Sequence, residues 1–382
     1  MNTQNKFNRW VYLFPALMDL SVAAVLLFSA IKAVELGASS VIVGTLGSVW
    51  GITYSFSSII LSNIINKKNA SVLMIASCVS FIFIGAFFYF CASLFSLFIL
   101  LFLCGFCSSF FFVGFQIFMG DHTSLPPHKS SALYTLSWST GMAFGSLLEG
   151  ILISGPVFYA QLPIILSSII IIAGVIIAGR VNKNSQNFYK EPMEPERIDV
   201  KSRIKNYVRI GWIEIFTVAL VTTGIRYLIP KMTISFFMFS KTMAGIAVFI
   251  FFIFQAVGGY AVSFFRIFRY KISSHHFMKI LGIISLIIPL IFRCNASIFI
   301  FTGLLGIYSG YAFYTAVFYS INDEKNAGFN VGINEALVGI ASVCGPFLLG
   351  VMLNISINWF LLFPCIILFL AGCTQHYTAK YC

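Results

Sequence analysis

Apolar runs of about 20 residues recur along almost the whole chain and alternate with short polar segments. An α-helix rises about 1.5 Å per residue, so a run of this length spans the roughly 30 Å hydrocarbon core of a bilayer. The pattern therefore predicts an all-α integral membrane protein with twelve transmembrane helices. The predicted spans lie at about 10–34, 40–65, 70–92, 94–119, 130–154, 157–180, 209–230, 239–265, 277–293, 295–321, 329–354 and 357–374.

One long polar segment, residues 181–208, separates six predicted spans from the other six. It has mixed charge, two prolines and no apolar period, which is typical of a linker. The sequence thus predicts an N-terminal six-helix bundle at 1–180, a linker at 181–208 and a C-terminal six-helix bundle at 209–382.

The two halves also show traces of duplication. The segment GFCSSFFF at 105–112 shares glycine, serine and phenylalanine positions with GIYSGYAF at 306–313, an offset of 201 residues. Almost the same offset relates two pairs of glycines, which are Gly145 with Gly345 and Gly150 with Gly350. Two matches at nearly one offset favour two pseudo-symmetric bundles. In transporters built this way the solute binds between the halves, near the middle of the bilayer.

Composition and charge place the protein in a lipid bilayer. Of its residues, 59% are hydrophobic and only 9% are charged, whereas about a quarter are charged in soluble domains. The formal net charge is +12, but the basic residues form no single face, so a nucleic-acid partner is not predicted. Most of the 24 Lys and Arg fall on the side of both termini. The positive-inside rule then predicts cytoplasmic termini and a cytoplasmic linker, in a multi-pass protein of the plasma or inner membrane.

No motif for catalysis, a cofactor or a metal is evident. The sequence has no phosphate-binding glycine loop, no zinc-ligand spacing and no nucleophile elbow. His275 and His276 fall at a predicted cytoplasmic loop without other metal ligands, and we interpret them as solvated. The prediction is therefore of no enzyme, no cofactor and no metal site, and any uphill transport would need an ion gradient.

Three segments resemble the major facilitator superfamily. Residues 35–68, ELGASSVIVGTLGSVWGITYSFSSIILSNIINKK, resemble its run from the end of helix one through helix two to a short basic loop. HKSSALYTLSWSTGMAFGSLLEG at 128–150 and NAGFNVGINEALVGIASVCGPFLLG at 326–350 resemble its helices five and eleven. The resemblance implies the superfamily's fold and solute transport by alternating access.

The loop after helix two departs from the superfamily's pattern. The resemblance makes it a gating loop, with a counterpart after helix eight. Asn63 stands at the usual aspartate position and Asn66 at the second glycine position. The basic residues that remain are Lys67 and Lys68 in this loop and Arg266 and Arg269 in the counterpart. The loss of the usual aspartate and glycine from this loop suggests an alternative function. The protein would then be transporter-like but no longer transport, and would act as an interaction partner or sensor.

Helices five and eleven contain residues that favour close helix packing. Of the motif found in the superfamily's antiporters, only some glycines are present. Ser146 stands at its proline position and Glu149 at one of its glycine positions. Small residues let helices approach closely, and a proline within a helix can bend it. The predicted packing residues are Gly141, Gly145, Gly150, Gly345, Pro346 and Gly350.

Charges inside the predicted spans are candidates for coupling or solute binding, since an intramembrane charge costs several kcal/mol. They are Asp19, Glu149, Arg226, Glu335 and Glu214. Asp19, about ten residues into helix one, either binds solute or a proton, or makes a structural hydrogen bond. Glu149 is either a protonation switch or an outer carboxylate that reaches water.

The other three charges also have two readings each. Glu214 and Arg226 lie twelve residues apart on helix seven, about 18 Å, and cannot pair directly. Glu214, near the helix end, is a solvated residue or a functional one. Arg226 could attract an anionic group or a carboxylate such as Glu149. Glu335 is favoured by the positive helix end or lines the inward-facing vestibule.

Four aromatic residues in the middle of helices two, five and ten are candidates for solute contact, against a simple packing role. They are Trp50, Tyr54, Trp138 and Tyr311. The few charges favour a neutral or weakly charged solute. The sequence predicts a monomeric secondary active transporter of a small organic solute, coupled to a proton or another ion, with Asp19 and Glu149 as the carboxylates that change protonation.

Overall fold

Twelve α-helices account for almost all of the structure. The computed structural model describes residues 10–62, 64–66, 68–122, 127–182, 201–265, 268, 270–322 and 326–381, and contains no strand in these ranges. The helices are α1 (Leu13–Glu35), α2 (Ser40–Ser62), α3 (Ala70–Phe87), α4 (Leu94–His122), α5 (Pro127–Leu152), α6 (Val157–Asn182), α7 (Lys201–Phe237), α8 (Lys241–Phe264), α9 (Ile272–Ile291), α10 (Asn295–Asn322), α11 (Ala327–Ile355) and α12 (Ile357–Tyr381). One 3₁₀ turn, Phe88–Phe90, follows α3. The predicted fold class is confirmed.

Several helices extend beyond the predicted apolar spans. Helix α7 begins at Lys201, inside the predicted linker, and continues through Pro230 to Phe237. Helix α12 ends at Tyr381 instead of near 374. Hydropathy marks where a helix is surrounded by lipid, but polar residues continue the backbone hydrogen bonds beyond that point, so the predicted ends fell short. Of the predicted linker, residues 183–200 lie outside the described part of the chain.

Ten of the described helices are long and apolar enough to cross a membrane by composition alone, and α2 and α5 are not among them. Both are rich in glycine, serine and threonine. Each packs along a helix of the other half, α2 along α11 and α5 along α8. A helix that faces protein on much of its surface needs less apolar side-chain area, which explains its lower hydropathy.

The duplication seen in the sequence recurs in the helix contacts. A Cβ atom built on Gly105 of α4 would lie 2.6 Å from the carbonyl oxygen of Trp50 in α2. At the matching position, a Cβ atom on Gly306 of α10 would overlap the carbonyl oxygen of Phe251 in α8. Such distances exclude any side chain, so both glycines permit equivalent close helix crossings in the two halves.

The glycines of helices five and eleven repeat this equivalence. Gly145 of α5 meets the backbone of Leu20 in α1, and Gly345 of α11 meets the backbone of Leu220 in α7. Gly141 meets the backbone of Ala16, one turn away from the Gly145 contact. The chain therefore forms two bundles of six helices, α1–α6 and α7–α12, with matching internal contacts.

The two bundles meet closely at one end of the molecule. Because the number of helices is even, α1 begins and α12 ends at the same end, which we call the terminal face; the other end is the opposite face. At the opposite face Lys241 of α8 forms an ion pair with Glu35 of α1. A Cβ atom on Gly150 would lie 2.8 Å from the Cα atom of Gly245. The bundles are thus closed there.

A second inter-bundle contact closes the opposite face between α2 and α11. A Cβ atom on Gly350 would lie 3.1 Å from the Cα atom of Gly44, and the ring of Pro346 meets Gly47. Further along, Gly339 still contacts Ser55, but Gly332 has no atom within 4 Å of a built Cβ. The two helices therefore part toward the terminal face.

Candidate functional site

Arg226 of α7 lies between the two bundles, next to aromatic rings from both. Its guanidinium carbon is 5.9 Å from the ring centroid of Trp50 in α2 and 5.8 Å from that of Phe252 in α8. These distances are typical of cation–π contacts. The ring of Trp50 stacks on Tyr54 at 5.3 Å, and Trp138 of α5 meets Phe252 edge-on at 6.4 Å. Three of the four predicted aromatic residues therefore surround the region of Arg226.

Two small cavities adjoin Arg226. One has a volume of about 20 Å³ and the other about 10 Å³, which is space for about one water molecule each. The residues that line both are Leu26, Arg226 and Tyr227. The first also contacts α5 and α8 and the second contacts α2 and α11, so Arg226 stands at the centre of the interface between the bundles.

Asp19 of α1 is the carboxylate that acts on Arg226. It is 7% exposed, and its Oδ2 atom has no hydrogen-bond partner. The charges of Asp19 and Arg226 attract each other, yet the two side chains form no ion pair within 4 Å. Helix α1 begins at Leu13, so Asp19 lies six residues into it rather than ten. The sequence named Glu149 as a partner for Arg226, and the structure instead brings Asp19 to it.

Glu149 of α5 is enclosed where α5 meets α8. It is 0% exposed, and neither carboxyl oxygen has a hydrogen-bond partner. Thr242 of α8 donates a hydrogen bond to the carbonyl oxygen of the neighbouring Gly150 at 3.1 Å. The reading of Glu149 as an outer carboxylate in water is therefore wrong for this conformation, because the close approach of α8 at Gly245 covers it.

Glu335 lies on the part of α11 that has separated from α2. Its side chain is exposed, and its charge reaches Tyr54 of α2 and Tyr134 of α5. Helix α11 begins at Ala327 and has no acidic residue in its first turn. The field of a helix end falls off within that turn, so the helix end does not account for Glu335. Glu335 is exposed on the terminal side of the contact between α2 and α11.

Glu214 belongs to a buried polar cluster inside the C-terminal bundle. Its Oε2 atom accepts hydrogen bonds from Lys279 of α9 and, at 2.6 Å, from Gln375 of α12. The Nδ1 atom of His275 lies 3.1 Å from the same oxygen, and its Nε2 atom lies 3.0 Å from the hydroxyl of Tyr319. The interpretations of Glu214 and His275 as solvated residues are therefore wrong, because α9 turns its first polar residues toward α7 and not toward water.

Tyr311 packs beside this cluster and away from Arg226. Its ring centroid is 5.3 Å from that of His275, and the side chain is fully buried. It therefore has no access to a solute between the bundles in this conformation, unlike the other three aromatic candidates. His276 is partly exposed and pairs with His376 at 3.3 Å.

Only part of the predicted gating loop falls within the described residues. The backbone nitrogen of Asn66 donates to the side-chain oxygen of Asn69 at 2.7 Å, and that of Lys68 donates to Asn66 at 2.9 Å. Amide side chains thus hold this turn. Four predicted gating residues lie outside the described part of the chain, and they are Asn63, Lys67, Arg266 and Arg269.

Sequence reasoning missed two partners of these charges and one ion pair between the bundles. Lys279 falls near the start of the predicted span 277–293 and is not among the charges that the sequence singled out; its position four residues after His275 places both on one helix face. Gln375 is neutral and gave no signal. The Glu35–Lys241 pair joins two loop-proximal residues far apart in sequence, which no spacing reveals. Within the described ranges no group of three His, Cys, Asp or Glu is placed to hold a metal ion.

Comparison with known proteins agrees with this architecture. A family model described as Major Facilitator Superfamily matches residues 10–323. The chain belongs to this superfamily. Its members are membrane transporters that bind small-molecule solutes, so the protein is a multi-pass membrane transporter. No match was found among curated protein sequences.

Solved structures of the superfamily share the fold. A bacterial homologue of the human lysosomal transporter Spinster, inward-facing and unoccupied, has a TM-score of 0.74 at 11% identity, covering 100% of this chain and 98% of its own. Its occupied form has a TM-score of 0.71 at 13% identity with the same coverage. The human organic anion transporter MFSD10 has a TM-score of 0.62 at 12% identity, covering 98% of this chain and 100% of its own. At these identities the likeness shows the fold alone.

Proposed function

We propose that the protein is a proton-coupled secondary transporter that moves a small organic solute by alternating access, as a monomer. The two six-helix bundles, approximately residues 1–180 and 209–382, are the units that rock. The terminal face lies in the cytoplasm, since most Lys and Arg fall on that side. In this conformation the solute path opens inward past Glu335.

The enclosure of Glu149 carries the proposal of proton coupling. An ionised carboxylate without a partner is very costly in an apolar site, and the group takes up a proton instead. Glu149 is fully buried with both oxygens unpartnered. The opposite face can therefore close only after Glu149 has bound a proton. When α5 and α8 separate, water from the opposite side reaches the carboxyl group and supplies the proton. A gradient does work only if this proton then leaves on the terminal side, and in the proposal Asp19 is the carboxylate through which it leaves.

This arrangement lets a pH difference drive solute movement. Protonation at the opposite face favours the inward-open state, so a proton gradient biases the equilibrium between the two conformations. Asp19 is the second carboxylate of the proposal and lies beside the solute site at Arg226. Trp50, Tyr54 and Trp138 would contact the solute during its passage.

Transport in proteoliposomes with Glu149→Gln tests the proposal. Solutes are first found by a thermal-shift screen of the purified protein, in which a ligand at 100 times its Kd adds about 2.7 kcal/mol of stability. The amide mimics the protonated acid. We therefore expect the rate of uptake in a pH gradient to fall to the rate measured without a gradient. Solute exchange between two filled compartments should persist, because it needs no proton turnover.

The same assay separates the alternative functions. Full gradient-driven uptake by Glu149→Gln would show that Glu149 is not the coupling group. No flux of any screened ligand under any gradient, in protein that remains folded, would favour the non-transporting interaction partner or sensor.

A further inference from the structure

We propose that the transported solute is an organic monoanion whose carboxylate binds Arg226, and that its binding is linked to uptake of one proton at Asp19. The proposal deepens the proposed function and rests on it for the transport step alone. A single negative charge agrees with the small number of charges between the bundles.

The guanidinium of Arg226 has the properties of a carboxylate receptor. It carries five N–H donors in a planar fork that matches a carboxylate. Among the described residues it has two aromatic ring faces and the attraction of Asp19, but no hydrogen bond from a side chain. Both cavities of the interface are lined by Arg226. A solute that reaches this interface therefore meets donors that are not filled, whereas Lys241, another described cation that contacts both bundles, is paired with Glu35.

The surroundings of Arg226 indicate the body of the solute. The rings of Trp50 and Phe252 lie on two sides of the guanidinium. The other side chains that line the larger cavity are almost all apolar, among them Leu27, Met142 and Val248. The chemistry of this lining matches a compact aromatic or aliphatic group, which would enter once the bundles separate further, whereas a sugar or another polyhydroxylated solute would leave its hydroxyls without partners.

Asp19 supplies the link to protons. It is the one carboxylate whose charge acts on Arg226 among the described residues, and its buried Oδ2 atom is unpartnered. A second negative group on Arg226 would leave two anions beside one cation. The less costly outcome is protonation of Asp19 as the solute carboxylate arrives. By reciprocity, protonation of Asp19 strengthens solute binding by the same factor.

Other titratable groups near Asp19 are few. Those that face it are Arg226 from α7, Tyr54 from α2 and Tyr134 from α5. The charge of Glu335 in α11 also acts on both tyrosines. On the described parts of α3, α4 and α6, which also pack against α1, no group acts on Asp19. Glu335 is thus the group that a pH experiment must separate from Asp19.

Binding of matched acids and amides to the full-length protein in detergent tests the carboxylate site. The probes are benzoate with benzamide and hexanoate with hexanamide, titrated by calorimetry. We expect at least one acid to bind about tenfold tighter than its amide, since hydrogen bonds to charged groups exceed neutral ones. Arg226→Gln should remove that preference and Arg226→Lys should keep part of it. Arg293→Gln, at an exposed arginine bonded to Asn358, is the charge-matched control.

The proton link has its own readout in the same titrations. In the wild type, affinity for the acid should rise several-fold from about pH 8 to about pH 6, with proton uptake on binding. These titrations are made in the Glu149→Gln background, which removes titration of Glu149; there Asp19→Asn should remove the pH dependence and bind the acid tightly at both values, whereas Glu335→Gln should keep it. Retained pH dependence in Asp19→Asn would overturn the link.

Three results would overturn the carboxylate site: equal binding of acid and amide, a preference that persists in Arg226→Gln, and no binding of either acid by folded protein. Because these titrations need no membrane, a failure of the proposed transport appears separately, as selective binding without flux in proteoliposomes.

Discussion

At the scale of single residues, the cluster around Glu214 shows how a membrane protein can hold a charge in its interior. Lys279 is 3% exposed and donates to Glu214, while Gln375 bonds both of them. Breaking a buried ion pair by removing one partner is strongly destabilising, because the other charge stays without compensation. The cluster joins α7, α9 and α12, so its loss acts on the whole C-terminal bundle.

Lys279→Met should therefore destabilise the protein by about 3–5 kcal/mol. The double variant Glu214→Gln with Lys279→Met removes both charges and should recover most of that loss. Thermal unfolding in detergent compares the stabilities of the wild type and these variants. Lys271→Met, at the exposed start of the same helix, is the matched control and should unfold like the wild type. A double variant no more stable than Lys279→Met would contradict the pairing.

The same residues show how far the sequence could predict the site. Asp19, Glu149, Glu214 and Arg226 could be found because any charge in an apolar run is costly. The partners of Glu214 could not, since Lys279 stands near the start of the predicted span 277–293, where lysine is usually solvated. Burial of Glu149 depends on a glycine of α8 about 95 residues away, and no local pattern contains that information.

At the scale of helices, paired glycines set how closely the bundles approach at the opposite face. The duplication in the sequence pointed to Gly150 and Gly350, but their partners Gly245 and Gly44 carried no such signal. The twelve helices themselves were predictable from apolar runs, whereas the long ends of α7 were not, because polar residues continue a helix beyond the membrane. Close packing through glycine makes closure at this face sensitive to a single side chain.

Gly245→Val should shift the protein toward a conformation open at the opposite face. A Cβ atom there would lie 2.8 Å from the carbonyl oxygen of Ser146 and from the Cα atom of Gly150, so the helices must separate. Spin labels at Ser39 and Met238, exposed on different bundles at this face, report the separation. We expect a longer distance population in Gly245→Val. Gly332→Val, at an open position, is the control and should leave the distances unchanged.

At the scale of the whole molecule, the orientation of the protein in the membrane decides which compartment each face contacts. An even number of helices places the start of α1 and the end of α12 at one face, and we propose from the distribution of Lys and Arg that this face lies in the cytoplasm. Under this assignment the opening past Glu335 leads to the cytoplasm, and the closed contact at Glu149 faces outward.

Cysteine labelling of intact cells tests the assignment. Cys294 is exposed in the connection between α9 and α10, at the opposite face. Of the other described cysteines, Cys91 is buried beside the 3₁₀ turn and the rest lie within membrane helices. A membrane-impermeant maleimide should therefore label the protein from outside, and Cys294→Ser should abolish that labelling. Labelling of Cys294 only after permeabilisation would invert the topology, and the proton held by Glu149 would then be taken from the cytoplasm.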